Sequence, residues 1–139
     1  MRPPTPREFY EKYKNDPEEA KRAAFQIGKE TGQSLKQKYN RKGEGLESVA
    51  ELLNDFMRNV MEEPSARVEG NKVIIRSAGF CAIMRAALTL NIPWEWLDAN
   101  YAWPSLHGIA STIIPDIKQK IPSARCRGDS ACIHIFETE

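Results

Sequence analysis

Residues 124–137 read ARCRGDSACIHIFE, and how this stretch folds decides the architecture. Gly128-Asp129 is a turn signal between two β-prone runs, so the segment predicts a hairpin of residues 123–127 and 131–137. A three-residue loop over Gly128, Asp129 and Ser130 would set Cys126 opposite Cys132, with Cβ atoms about 4.5–5.5 Å apart. Two thiols so placed can bridge, share a metal, react, or simply pack as small apolar groups. Beyond the turn, alternation sends Cys132, His134 and Phe136 to one side and Ile133 and Ile135 to the other. His134 reads as a surface residue of an edge strand.

A matching signal lies upstream. ARVEGNKVIIRS, residues 66–77, holds two short runs around Gly70-Asn71, a two-residue hairpin signal. The two hairpins can join into one antiparallel sheet. The rest of the chain is helical in pattern, so the expected fold is a single α+β domain of helices and two β-hairpins, with the helices on one face of the sheet.

The helices announce their own starts. TPRE at 5–8 offers Thr5 as N-cap, Pro6 at N1 and Glu8 at N3, and DPEE at 16–19 repeats the capping box with Asp16 and Glu19. Residues 1–4 read as a loose tail ahead of a domain covering 5–139. The second helix is expected over about 17–39, with Ala20, Ala24, Ile27, Thr31, Leu35 and Tyr39 on one face. Gly28 and Gly32, four apart, suggest a close approach of a helix or a ligand. A third helix is expected over about 46–62, with Val49, Leu53, Phe56 and Val60 as a core stripe. Cys81 opens the next helix, and Asn91 stops it. The following helical stretch, PWEWLDANYAWPSLHGIASTIIP, is expected to kink at Pro104.

Composition excludes several classes. The chain has 139 residues, 41% hydrophobic and 28% charged, with a net charge of +1. That length suits one domain with a core that needs no staples. The charge gives no footprint for nucleic acid. No apolar run approaches the roughly 20 residues of a membrane helix, and the N-terminus lacks a signal-peptide segment. The expectation is a cytoplasmic protein with reduced thiols, no membrane and no nucleic acid among its partners.

Three groups of residues could carry chemistry. Trp94, Trp96, Tyr101 and Trp103, with His107 nearby, could wall a pocket for an apolar or aromatic molecule. Cys126 and Cys132 with Cys81 could hold zinc, a fourth position going to His107, His134, Asp98 or water. Cys81 at a helix N-terminus could be an activated thiol, with His107 as base and Asp98 as its orienter. Packing alone explains each residue as well. RGDS at 127–130 reads as a turn sequence.

CRGDSACIHIFE, preceded by HGIASTIIPDIKQKIPSAR, resembles the ending of the 4-vinyl reductase-like domains and of small proteins grouped with L-2-amino-thiazoline-4-carboxylic acid hydrolase. The resemblance covers about residues 79–137. It implies a compact α+β domain, a homodimer, with a buried pocket for a small hydrophobic or aromatic molecule. Relatives of the first kind hold zinc with terminal cysteines, an earlier cysteine and a glutamate. Cys126 and Cys132 match the terminal pair, and Cys81 is the candidate for the earlier one. Ser123 stands where that glutamate belongs, which leaves the fourth place to His107 or another group. The second kind implies a hydrolase of a C–N or cyclic amide-like bond, using Cys81, Asp98 and His107. A structural oligomerisation module, built on the second and third helices with inert cysteines, is the third expectation.

Overall fold

The computed structural model describes residues 3–138. Proline and its caps place the first two helices. Thr5 Oγ1 accepts the Glu8 N–H at 3.2 Å while Glu8 Oε1 accepts the Thr5 N–H at 2.8 Å, a full capping box that starts α1, Pro6–Tyr13. Asp16 caps α2, Pro17–Lys38, by accepting the Glu19 N–H at 3.2 Å. The second box is only half made, because the Glu19 carboxylate turns to Arg22 instead. The loose tail expected over residues 1–4 falls partly outside the described residues, and Pro3 borders the cavity described below.

Helix α3 spans Leu46–Asn59, shorter than its pattern. Val60 caps it and Met61 takes a left-handed φ of 65°, ending the helix before Glu62. Helix α4, Ala82–Leu90, begins at Cys81 and stops at Asn91, whose φ of 56° is a left-handed C-cap. The aromatic-rich stretch then forms α5, Trp94–Leu97, a π-helical segment, Asp98–Ala102, and α6, Trp103–Ser111, end to end. Pro104 sits in the first turn of α6, where its missing N–H costs little. The expected break is therefore a π turn just ahead of the proline, marked by the Trp103 N–H donating to the Asp98 carbonyl.

Four strands form one antiparallel sheet in the order β1-β2-β4-β3. Strands β1, Ala66–Glu69, and β2, Lys72–Ser77, make the expected hairpin, closed by Glu69↔Lys72 with Gly70 at φ 63°. Strand β4, Cys132–Glu137, pairs along β2 from Ser77↔Cys132 to Lys72↔Glu137. This joins the two β regions as expected.

The second hairpin departs from its reading. Its first strand is β3, Lys118–Ser123, and residues 125–127 wind into a 3-10 turn, Arg125–Arg127. The register of β3 shifts between Lys120 and Ser123. Pro122 lies in that interval, and proline is tolerated on an edge strand or at a bulge. Asp129 explains the turn: its Oδ2 accepts the Ala124 N–H at 2.9 Å, and its own N–H donates to the Ala124 carbonyl at 3.2 Å. Those bonds curl the chain before Cys126, so Cys126 does not face Cys132 across a ladder. The Asp129 side chain of RGDS is spent inside the turn.

The helices cover one face of the sheet. Val49, Leu52 and Leu53 of α3 pack with Val73, Ile75 and Phe136 of the sheet and with Ile109, Ile113 and Ile117. Helix α2 lies along α6 through glycines. A Cβ on Gly28 would strike the Ser105 carbonyl, and one on Gly108 would strike the Phe25 carbonyl. The close approach expected at Gly28 and Gly32 is thus helix on helix. Phe56 and Val60, expected in the core, are only partly buried, and Asp55 is the fully buried polar member of α3.

Candidate functional site

A cavity of about 430 Å³ lies between the helices and one end of the sheet. Its size falls in the range of small-molecule sites. The floor is strand residues: Ile75 pairs with His134 and Ser77 with Cys132, and all four border the space. Helix α2 contributes Ile27, Gly28 and Thr31, and α3 contributes Phe56 and Met57. Cys81, Ala82, Ile83 and Ala86 come from the start of α4, and Asp98, Tyr101 and Trp103 from the π segment and α6. Helical spacing explains this wall: Ala82 and Ala86, four apart, present one face.

The polar groups gather near the start of α4. Cys81 Sγ accepts the Met84 N–H at 3.4 Å, and the Ala82 N–H donates to the Glu62 carboxylate. Burial pushes the Glu62 carboxyl above its ordinary range. Burial also pushes the Cys81 thiol up, against the partial lowering by the Met84 N–H. Desolvation here opposes the activation expected of a thiol at this helix start.

Asp98 is 5% exposed. Burial raises its carboxyl to about 6, opposed by a hydrogen bond from the Cys126 thiol and by the charge of Arg127. The same contact, added to burial, pushes Cys126 up to about 12. Asp98 Oδ2 has no hydrogen-bond partner among the described residues. Burial also raises Cys132, whose Sγ accepts the Arg125 N–H at 3.3 Å.

His134 corrects its reading. It is 6% exposed because β4 is an inner strand, paired on both sides. Burial pushes its imidazole down to about 4, and its Nδ1 has no partner among the described residues. Alternation placed it on the face of Cys132; only the assembled fold shows that helices cover this face.

The other expected site residues divide. Tyr101 and Trp103 line the cavity. Trp94 and Trp96 do not border it; they pack against the cluster of Ala87, Ile92 and Leu97. Trp96 also meets Tyr10 edge-on at 4.9 Å. His107 lies elsewhere. Its Nε2 bonds the Ile117 carbonyl at 2.7 Å, its ring meets Phe25, and it borders a separate hollow beside Lys21 and Gln119. Cys81 and Asp98 thus share a cavity without His107, and the expected Cys81–His107–Asp98 grouping is not assembled. Glu62 escapes a sequence reading, since its turn carries no motif and only the fold brings it to Cys81.

The donor types around Asp98 suit zinc, which takes thiolate, imidazole and carboxylate. Among the described residues, however, no three His, Cys, Asp or Glu side chains converge to hold one ion. The arrangement as it stands does not fit a four-ligand zinc centre, and His107 lies apart from the thiols.

No helix among the described residues is long and apolar enough to cross a membrane. The chain matches no known family model, and no curated protein matches it.

Proposed function

We propose that this protein binds a small, largely apolar molecule in the cavity between α2, α4, α6 and the sheet, as a domain of the 4-vinyl reductase-like type. One observation carries the reading. A space of about 430 Å³ is walled by side chains such as Ile27, Phe56, Ile83, Tyr101 and Ile109, yet two buried polar atoms of residues that border it, Asp98 Oδ2 and His134 Nδ1, have no partner among the described residues. Buried polar atoms are ordinarily satisfied, and leaving one unmade costs about 1–3 kcal/mol. A bound molecule offsets that cost.

Trp103 and Tyr101 in the wall give the experiment its signal. Intrinsic fluorescence and thermal stability are followed during titration with neutral arenes of one and two rings. Saturable binding is expected, and Ala86→Leu, which fills the space from α4, should abolish it while the protein stays folded. Saturation unchanged in Ala86→Leu would overturn this site.

Zinc is the competing account of the thiols: Cys126, Cys132 and Asp98 are donor types it takes, though no three such side chains converge among the described residues. Protein purified without chelator and carrying near one equivalent of zinc, lost in Cys126→Ser, would establish it. The hydrolase reading loses the base it expected, since His107 is bound to Ile117 and lies outside the cavity that holds Cys81. The oligomerisation reading loses the α2 face, since Ala24, Gly28 and Gly32 are buried within the chain.

A further inference from the structure

Resting on that binding reading, we propose that the cavity is selective for cations: its ligand is an apolar or aromatic body carrying a protonated amine or amidine, whose N–H groups bond Asp98. The cavity's charge is one-sided. Glu62 and Asp98 both border it, and no lysine or arginine is among its described lining residues. Two carboxyl groups in an apolar wall repel an anionic ligand and attract a cationic one.

Asp98 supplies the anchor. One of its oxygens has no donor among the described residues, although the residue is only 5% exposed. The guanidinium of Arg127, whose charge acts on Asp98, does not fill that place. Arg127 Nε bonds Glu95 Oε2 at 2.8 Å, and its Cζ lies 5.0 Å from the centroid of the Trp103 ring. A protonated amine brings a donor and a positive charge into the cavity itself, and such charge-assisted bonds are about twice as strong as neutral ones.

His134 completes the recognition. Its imidazole is neutral at physiological pH, because burial holds it down to about 4. It therefore adds no repulsion to a cation. Its Nδ1, without a partner among the described residues, is a second acceptor on the residues that border the cavity, in the tautomer protonated at Nε2.

The test is a matched series on the full chain at about pH 7.5, where a free amine is protonated and a free carboxylic acid ionised. 2-Phenylethylamine, 2-phenylethanol and phenylacetate share one body and differ in charge; the same three head groups on a naphthyl body cover a larger occupant. Calorimetric titration should rank the amine at least about tenfold tighter than the alcohol, a difference typical of one charge-assisted bond, with the acid weakest. Asp98→Asn should bring the amine to within about twofold of the alcohol, leaving the alcohol nearly unchanged. An alcohol binding as tightly as the amine in the unaltered protein overturns the charge selectivity and leaves the binding site standing; that comparison needs no variant. An amine preference that survives Asp98→Asn in folded protein overturns the role of Asp98. Failure of all six compounds to bind counts against both the selectivity and the binding reading.

Discussion

Gly28 of α2 lies against the Ser105 carbonyl of α6, so close that the pair leaves no space for a Cβ atom. Both residues also border the cavity. The helix contact and the cavity wall are therefore one feature. Gly28→Ala should force the two backbones apart and cost about 3 kcal/mol, the upper end for overpacking, because neither carbonyl nor helix can rotate away. Gly108→Ala should do the same through Phe25. Gly79, with open space where a methyl group would stand and an ordinary φ, is the control and should tolerate alanine. Thermal unfolding of the three variants checks this; equal midpoints would overturn it.

A buried ion pair holds the turn after α2 to α3. Arg41 Nε and Nη2 bond the two oxygens of Asp55 at 2.8 and 3.0 Å, and Asp55 is 1% exposed. Arg41→Met leaves that carboxylate with Arg58 at 3.1 Å. The expected loss is about 2–3 kcal/mol, somewhat below that of a pair broken in full. Adding Asp55→Leu should recover most of it, because the uncompensated charge is then gone. Urea unfolding of the single and double variants measures the coupling.

Asp98 and His134 should oppose each other in the pH dependence of stability. Asp98 titrates at about 6 when folded, against an ordinary value of 3.8. Between those values the folded state holds a proton that the unfolded state has lost, so stability falls as pH rises. His134 titrates at about 4 when folded, against 6.5. There the unfolded state holds the extra proton, so stability rises with pH. The two slopes, each up to about 1.4 kcal/mol per pH unit, cancel between about pH 4 and 6. The other groups acting on Asp98 are Cys126, Arg127 and Glu95, and all are common to the variants compared. Relative to the unaltered protein, Asp98→Asn should become steadily less stable as pH falls from about 6 to about 4. His134→Gln should become steadily more stable over the same interval. Denaturation midpoints across that range decide it, and parallel profiles would count against both burials.

All three thiols should be slow nucleophiles in the folded protein. Burial raises each of them, and Cys126 most, with Asp98 beside it. Alkylation by iodoacetamide at about pH 8 should run at least about tenfold slower than in unfolded protein, where a free thiol titrates near about 8.5. Asp98→Asn should speed Cys126 selectively. Peptide mapping over time reads each site, and a fast Cys81 in folded protein would reopen the case for nucleophilic chemistry.

Much of the fold is legible in the chain because its signals are local. Thr5-Pro6 and Asp16-Pro17 start helices through bonds to residues three ahead. Gly70-Asn71 closes a hairpin, and Asn91 takes the left-handed conformation that ends α4. The second hairpin is legible at its turn but not in its strands. Pro122 and the Asp129 bonds to Ala124 reshape the pairing, and neither effect follows from the alternation of apolar residues.

The candidate site is legible in part. Cys81, Asp98, Tyr101, Trp103 and Cys132 do border one cavity. His107 and Trp94 are close to these residues along the chain, but a helix sends neighbouring residues to different sides. His134 reads as an edge residue because its burial depends on a strand far away in sequence.

Local order along the chain settles where helices begin, where the backbone reverses, and which residues share a face, since each depends on bonds or spacing within a few positions. Which face is dry is a property of the assembled fold alone. It depends on the partners β2 and β3 on either side of β4 and on the glycine seam between α2 and α6. Desolvation by those distant elements is what makes Asp98, His134 and the thiols differ from the same side chains in water.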